Sequence, residues 1–395
     1  MNTYTSPFPI ASKSTPAVAT KRLLSLDALR GFDMFWIMSG EHIIHALAKA
    51  TGWTTFVWMS GQLHHTVWNG FTFYDMIFPL FLFIAGVSMP YSLQKKMQNA
   101  GVRSASELPV AEKTKLYLDM LRRTVTLIIL GMIVNGLLKF NGYENTRFAS
   151  VLGRIGIAWF LAGIIYLNFN LRSQVGCFAV LLLGYWAAMV WIPVPGYGAG
   201  VLTMQGSLES YIDRLLLPGR LHDTVHDPEG ILSTIPAIDT ALLGVFTGTF
   251  LKWNNTDWQP FKKGMTMIGA AAMLIVLGLL WNIVFPINKR LWTSSFVLYA
   301  GGFSVLFLAL FYLIIDVAGW QKWAMPFIWI GTNSIVIYLC AEGAVNFSYT
   351  ADFLFKELIN HTPVIWQPVF AALSVTIVQL GLLYFLYRNK LFLKV

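Results

Sequence analysis

The sequence has 395 residues, of which 56% are hydrophobic and only 12% are charged. Water-soluble domains contain more polar surface, so this composition excludes a soluble globular protein and indicates that much of the apolar surface faces lipid. The formal net charge is +9, but the basic residues lie near the ends of apolar segments, a pattern typical of membrane orientation and not of nucleic-acid binding.

Apolar segments of about 20 residues, long enough to cross a hydrocarbon core of roughly 30 Å, recur along the chain. Because lipid offers backbone groups no hydrogen bonds, each segment predicts a helix, and the fold class is an all-α, polytopic transmembrane bundle of about ten helices. Segments that are apolar on every face disfavour a β-barrel. The predicted spans are residues 27–48, 71–93, 117–139, 151–168, 174–192, 231–251, 264–285, 292–316, 324–343 and 365–387.

The distribution of the 28 Lys and Arg residues predicts that both termini are cytoplasmic, because most of them then fall in inner segments. Residues 1–24 lack the apolar block of a signal peptide and are predicted to form a cytoplasmic tail. Residues 25–395 are predicted to form a single transmembrane domain. Its longest outer segment, residues 193–230, is long enough to fold as a cap over a pocket.

The first polar motif, residues 25–33, places two acids and an arginine at the cytoplasmic end of the first span. Ser25 and Asp27 suit a helix N-terminus, as the capping residue and as a negative charge at the positive end of the dipole. Arg30 and Asp33 lie deeper in the span. An arginine there either pairs with an acid, the interpretation we favour, or meets an anionic ligand from the cytoplasm.

The second motif lies on the outer approach to the second span and contains His64, His65, Trp68, Asn69 and Asp75. A carboxylate at the start of an apolar helix costs several kcal/mol unless it is paired or solvated. If the chain turns after Asn69, Asp75 reaches one ring nitrogen of His65 and leaves the other free to act as a general base. The residues alone leave an alternative equally open, in which both histidines are interfacial and Asp75 caps its helix.

Three later stretches, residues 147–154, 227–234 and 331–334, also place polar groups at or inside predicted spans. Glycines and hydroxyls at such positions usually serve close helix packing and hydrogen bonding between helices. Cys177 and Cys340 lie in apolar segments and are predicted to be packing residues. No phosphate-binding loop, dinucleotide fingerprint or hydrolase motif is present in the sequence.

Taken in order, these motifs resemble the heparan-alpha-glucosaminide N-acetyltransferase family of transmembrane acyltransferases, in a short form without a large outer N-terminal domain. The resemblance spans roughly residues 22–340. It is carried by Ser25-Leu26-Asp27-Ala28-Leu29-Arg30-Gly31-Phe32, His65-Thr66-Val67-Trp68-Asn69-Gly70 with Asp75 and Phe78-Pro79, Arg147 with Val151-Leu152-Gly153-Arg154, Asp227-Pro228-Glu229-Gly230, Pro286-Ile287-Asn288-Lys289 with Leu291-Trp292, and Pro326-Phe327 with Asn333-Ser334.

The resemblance implies that an acetyl group passes from cytoplasmic acetyl-CoA to the amine of a glucosamine-type sugar on the periplasmic side. It assigns the general base to His65, oriented by Asp75, with Asn69 as a donor to the developing oxyanion. No metal is expected. The residues expected to bind acetyl-CoA are Arg30, Arg154, Asn333 and Ser334, and those expected to bind the acceptor are His64, Trp68, Asp227 and Glu229.

Two questions about this activity stay open at the level of sequence. An acetyl-histidine intermediate is the alternative to direct transfer, which we favour. A transporter of amino sugars or muropeptide fragments, or an O-acyltransferase acting on cell-envelope sugars, is the alternative function. The expected location is a bacterial inner membrane. The expected partners are the amino-sugar substrate, the lipid bilayer and a second copy of the chain in a homodimer, with no nucleic acid.

Overall fold

The computed structural model describes residues 23–102, 104–139, 142–253 and 257–392, so the predicted tail lies outside the described residues except for its last two. Over these ranges the chain is helical and forms no β-strand, which confirms the all-α class. The α-helices are α1 (Leu24–Phe35), α2 (Glu41–Thr51), α3 (Thr54–Gln62), α4 (Phe73–Ala100), α5 (Val110–Val134), α6 (Val151–Asn168), α7 (Leu171–Trp191), α8 (Leu208–Leu216), α9 (Thr234–Lys252), α10 (Pro260–Trp281), α11 (Ser294–Phe311), α12 (Met325–Thr332), α13 (Ser334–Leu339), α14 (Phe347–Asn360) and α15 (Gln367–Arg388).

Within the described ranges, seven helices are long and apolar enough to cross a membrane, and the bent pair α12 and α13 makes eight if it counts as one span. The seven are α4, α6, α7, α9, α10, α11 with its continuation to Val317, and α15 with the turn before it. The predicted count of about ten is not confirmed. The predicted spans 27–48 and 117–139 are helical, but charged side chains such as Glu41 and Arg123 interrupt their apolar runs.

Glycines bring two helix pairs into backbone contact at the centre of the bundle. A Cβ added at Gly86 of α4 would lie 2.1 Å from the carbonyl oxygen of Ala241 in α9. A Cβ at Gly31 of α1 would lie 1.7 Å from the carbonyl oxygen of Phe327 in α12. Small residues at such contacts let membrane helices pack closely. These contacts fix α4 against α9 and α1 against α12, and several of the polar motifs lie on or beside these helices.

The helices are interrupted near the N-terminal half of α4. Wide π-type turns occupy Trp36–Gly40 after α1 and Cys340–Ala344 after α13, and the chain bends by 69° between α12 and α13. Inside a membrane, irregular backbone is tolerated where it is buried in protein or lines a water-filled cavity. Ile37 and Glu342, which lie in these turns, both line cavities described below.

Candidate active site

The loop before α4 is held against the loop between α10 and α11. Gly70 has a φ of 117°, which favours glycine, and its N–H donates to the carbonyl of Ile287 at 2.9 Å. The buried amide of Asn288 donates to Oδ1 of Asn69 at 3.0 Å. Thr72 then caps α4 in a reciprocal capping box with Asp75. These bonds bring two loops that are distant in sequence to the N-terminal end of α4.

His65 and Asp75 form a hydrogen-bonded pair at this end of α4. Nδ1 of His65 lies 2.9 Å from Oδ1 of Asp75, whose side chain is only 1% exposed. The other carboxylate oxygen, Oδ2, accepts from both the N–H and the hydroxyl of Thr66 and of Thr72. Since a carboxylate only accepts, the tautomer of a neutral His65 that fits this pair has its proton on Nδ1 and its lone pair on Nε2. The pair therefore has the geometry of an oriented general base.

Lys289, in the loop between α10 and α11, completes this pair and was not among the predicted site residues. Its Nζ lies 3.0 Å from Nδ1 and 3.2 Å from Nε2 of His65, and 3.6 Å from Oδ1 of Asp75. Burial lowers the pKa of Lys289, and the charges of Asp75 and Glu229 oppose that shift. The only sequence signal was its place in the Pro286-Ile287-Asn288-Lys289 block.

A cavity of about 200 Å³ opens beside these groups. Its polar lining includes His65, Lys289 and Glu229, and its apolar walls come from α1, α4, α6 and α13. A second cavity of about 740 Å³ shares the lining residues Ile37, Tyr74 and Glu342, and it also contains Glu41 and Asp352. The two cavities therefore adjoin: one has mainly apolar walls, and the other carries several carboxylates.

Glu229 is fixed in the first cavity by Arg147, which also binds Asp227. The Arg147 guanidinium donates to both carboxylate oxygens of Asp227, at 2.8 and 2.6 Å, and to Glu229. Burial alone would raise the pKa of Asp227, but the hydrogen bonds and charge of Arg147 outweigh it and lower that pKa. Of these two predicted acceptor-binding acids, only Glu229 lines the cavity, because Asp227 is fully buried against Arg147.

The segment between α7 and α9, which was predicted as a cap, is held by hydrogen bonds and ion pairs between buried ionisable groups. Nδ1 of His226 lies 2.9 Å from Glu209, whose other oxygen accepts from Ser233 at 3.0 Å. Arg154, at the start of α6, donates to the same Ser233 hydroxyl. Burial raises the pKa of Glu209 and Asp213 and lowers that of His226. Arg154, predicted to bind acetyl-CoA, is thus engaged with this segment.

The remaining predicted residues lie around this centre. Arg30 donates to the hydroxyl of Ser88 at 2.9 Å and lies 3.5 Å from Asp27. Asn69 is exposed and does not line the cavity.

Two further pairs of predicted residues occupy the bend between α12 and α13 and the loop between α3 and α4. Asn333 and Ser334 are buried at the bend between α12 and α13. His64 stacks on His45 at 4.5 Å, and Trp68 donates to the carbonyl of Leu202 at 2.8 Å. In the part of the chain that the structure describes, no group of three or more His, Cys, Asp or Glu is arranged to hold a metal ion.

Comparisons with known proteins agree with the motifs. The model of a family described as heparan-alpha-glucosaminide N-acetyltransferase, catalytic, matches residues 22–283. Human and mouse proteins named heparan-alpha-glucosaminide N-acetyltransferase are each 28% identical over 390 residues, which cover 84% of this chain and 55% and 56% of theirs. The chain spans about half the length of the curated relatives it matches.

Proposed function

The chain belongs to the heparan-alpha-glucosaminide N-acetyltransferase catalytic family, and from that premise we propose that it is a transmembrane N-acetyltransferase. It moves an acetyl group from acetyl-CoA to the amine of a glucosamine-type sugar. The observation that carries this proposal is the pair of His65 and Asp75, which fixes the imidazole with Nε2 beside a cavity of about 200 Å³.

His65 serves as the general base in this reaction. The neutral amine of the sugar attacks the thioester carbonyl carbon, a C–N bond forms and the C–S bond breaks. Nε2 of His65 takes the proton that the amine loses and returns it to the departing thiolate, so that the products are an acetamide and free CoA thiol. Asp75, through Nδ1, holds the imidazole in the required tautomer and stabilises the imidazolium that forms between these two proton transfers.

The apolar cavity is the proposed position of the thioester and the end of the pantetheine arm. Its walls are formed by side chains such as Phe81 and Ile155, which suit an acyl group and an uncharged chain. The donor enters from the cytoplasmic side, with Arg30, Asn333 and Ser334 proposed as its contacts. Arg154, the fourth residue predicted to bind it, is buried and donates to Gly230 and Ser233 near the end of the cap segment. Transfer is direct and does not pass through an acetyl-histidine.

The adjoining polar cavity is the proposed position of the acceptor. Glu41, Glu342 and Asp352 give it a negative charge that attracts an amino sugar, which carries an ammonium group before it loses a proton to react. Glu229, which accepts a hydrogen bond from Arg147, lines the first cavity together with His65. His64, Trp68 and Asp227 are the further residues proposed to shape this acceptor site.

The layout of this reaction places donor and acceptor on opposite sides of a bilayer. We place both termini and residues 1–24 in the cytoplasm, residues 25–395 in one transmembrane domain of about ten spans, and residues 193–230 over the outer opening as a cap. A bacterial inner membrane and a homodimer fit this arrangement.

Release of CoA thiol tests the proposed function. The purified protein mixed with acetyl-CoA and glucosamine releases free thiol, and His65→Ala reduces the release by about 10²- to 10⁴-fold while the melting temperature stays unchanged. His361→Ala is the matched control, because His361 is exposed and its ring bonds to the carbonyl of Glu357 in its own helix turn. Thiol release from His65→Ala at the wild-type rate would contradict the proposal.

Further measurements beside thiol release separate the alternatives. A transporter gives solute flux in liposomes without thiol release, and an O-acyltransferase gives a product that hydroxylamine cleaves, whereas an acetamide resists it. Rapid mixing with radiolabelled acetyl-CoA in the absence of sugar tests direct transfer. Labelled protein that forms at the catalytic rate would establish an acetyl-histidine instead.

A further inference from the structure

The proposed reaction builds negative charge in the cavity beside His65. Attack on the thioester turns the carbonyl oxygen into an oxyanion, which a low-dielectric site must stabilise with a positioned donor or cation. Among the described residues that line this cavity, the acids are Glu229 and Glu342, and Lys289 is the one Lys or Arg. Lys289 is therefore the lining group whose charge has the sign that an oxyanion needs.

The position of Lys289 leaves the lone-pair direction of His65 Nε2 open. An atom 3.0 Å from Nδ1 and 3.2 Å from Nε2 lies beside the ring edge between the two nitrogens or over the ring face. On the lone-pair axis of Nε2, the distance to the other ring nitrogen would be much longer. The ammonium of Lys289 therefore stands next to Nε2 without occupying the direction in which His65 takes a proton.

Asn69, the donor proposed from the sequence, is less well placed for this task. Its side chain is exposed, its carbonyl oxygen accepts from Asn288 at 3.0 Å, and it is not among the residues that line the cavity. Lys289 follows Asn288 directly in the chain and is mostly buried, with a side chain 15% exposed. Its ammonium is also held by the carboxylate of Asp75 at 3.6 Å.

We propose that Lys289 is a catalytic residue whose ammonium stabilises the negative charge on the thioester carbonyl oxygen during attack by the amine. Lys289 donates a hydrogen bond and transfers no proton, so the proton balance between the amine, His65 and the thiolate is unchanged. Asp75 then has two tasks, because it orients His65 through Nδ1 and anchors the Lys289 ammonium through the same oxygen. This inference rests on the proposed function and adds a residue to its mechanism.

Replacement of Lys289 tests this role through kinetics. Lys289→Met keeps an unbranched side chain, one atom shorter, and removes its charge. We expect kcat to fall by about 10²- to 10³-fold with little change in KM for acetyl-CoA, because the interaction arises only as the oxyanion forms. Lys262→Met is the matched control, since Lys262 lies exposed at the start of α10, away from the cavity.

Lys289→Arg supplies a second readout that a structural role would not produce. The ammonium of Lys289 faces His65, Asp75, Glu229 and Arg290, and burial lowers its pKa. Wild-type kcat therefore falls at high pH as the ammonium loses its proton. An arginine stays charged throughout this range, so Lys289→Arg keeps part of the activity and moves the high-pH limb of the profile upward.

The outcomes separate this inference from the function on which it depends. If the wild-type protein releases no thiol, both proposals fail. If the wild type is active and folded Lys289→Met keeps more than a third of its kcat, only the role of Lys289 is overturned, and backbone N–H groups become the candidate donors. If Lys289→Met does not fold, the pH profile of Lys289→Arg decides, and an unshifted high-pH limb overturns the role.

Discussion

Replacement of Asp75 by asparagine probes the orientation of the proposed base with almost no change in shape. Oδ2 of Asp75 accepts hydrogen bonds from Thr66 and Thr72, whose N–H groups can only donate. The asparagine must therefore keep its oxygen at that position and turn its NH₂ group toward His65. Because NH₂ only donates, Nδ1 of His65 must become the acceptor, and the ring proton moves to Nε2. Nε2 then cannot accept a proton from the amine, so His65 no longer acts as the general base.

We expect Asp75→Asn to lower kcat/KM for thiol release by about 10²- to 10⁴-fold, the range that a positioned general base contributes. This corresponds to about 3 to 5 kcal/mol of transition-state stabilisation. The capping box at Thr72 survives because the asparagine oxygen still accepts from it, so the melting temperature in detergent should stay within a few degrees of the wild type. A folded Asp75→Asn protein with kcat/KM within threefold of the wild type would refute this account of the tautomer.

Two further predictions concern the segment between α7 and α9. Arg147→Met leaves the buried carboxylates of Asp227 and Glu229 without their cation. We expect the free energy of unfolding to fall by about 3 kcal/mol, which is measured as a lower melting temperature. Adding Asp227→Asn to this variant partly restores the melting temperature. Burial raises the pKa of Asp213 to about 9, so the folded state holds a proton that the unfolded state releases, and stability falls as pH rises from 7 to 9. Asp213→Asn removes this fall in melting temperature; an equal fall in both proteins would contradict the assignment.

The pairing of His65 with Asp75 was predictable because it is local. Ten residues separate the two, Gly70 permits the turn between them, and Thr72 marks the start of α4. Lys289 lies 224 residues from His65 in the chain. No pattern of residue types near either position indicates that contact, since it depends on how the loop between α10 and α11 packs against the loop before α4.

The span count shows a different limit of sequence patterns. Hydropathy locates an apolar segment but does not tell whether its charged residues face lipid, protein or a cavity. In α1, Arg30 lies 3.5 Å from Asp27, in line with the favoured pairing with an acid, and such internal pairing is invisible to a hydropathy criterion. The same holds for Arg123 in α5, whose guanidinium stacks on the ring of Trp159 at 4.6 Å.

The adjoining cavities also bear on the choice between direct and two-step transfer. A two-step reaction through an acetyl-histidine needs only one substrate beside His65 at a time, and a single pocket would suffice. Two cavities of different character, apolar beside His65 and acidic beyond Tyr74 and Glu342, provide separate places for an acyl thioester and a cationic sugar at once. In the proposed reaction both substrates are present together, so His65 would only move protons while the nearby Lys289 ammonium would stabilise the oxyanion. The two adjoining cavities therefore favour the proposed direct transfer, in which the acids of the larger cavity would determine which amine is accepted.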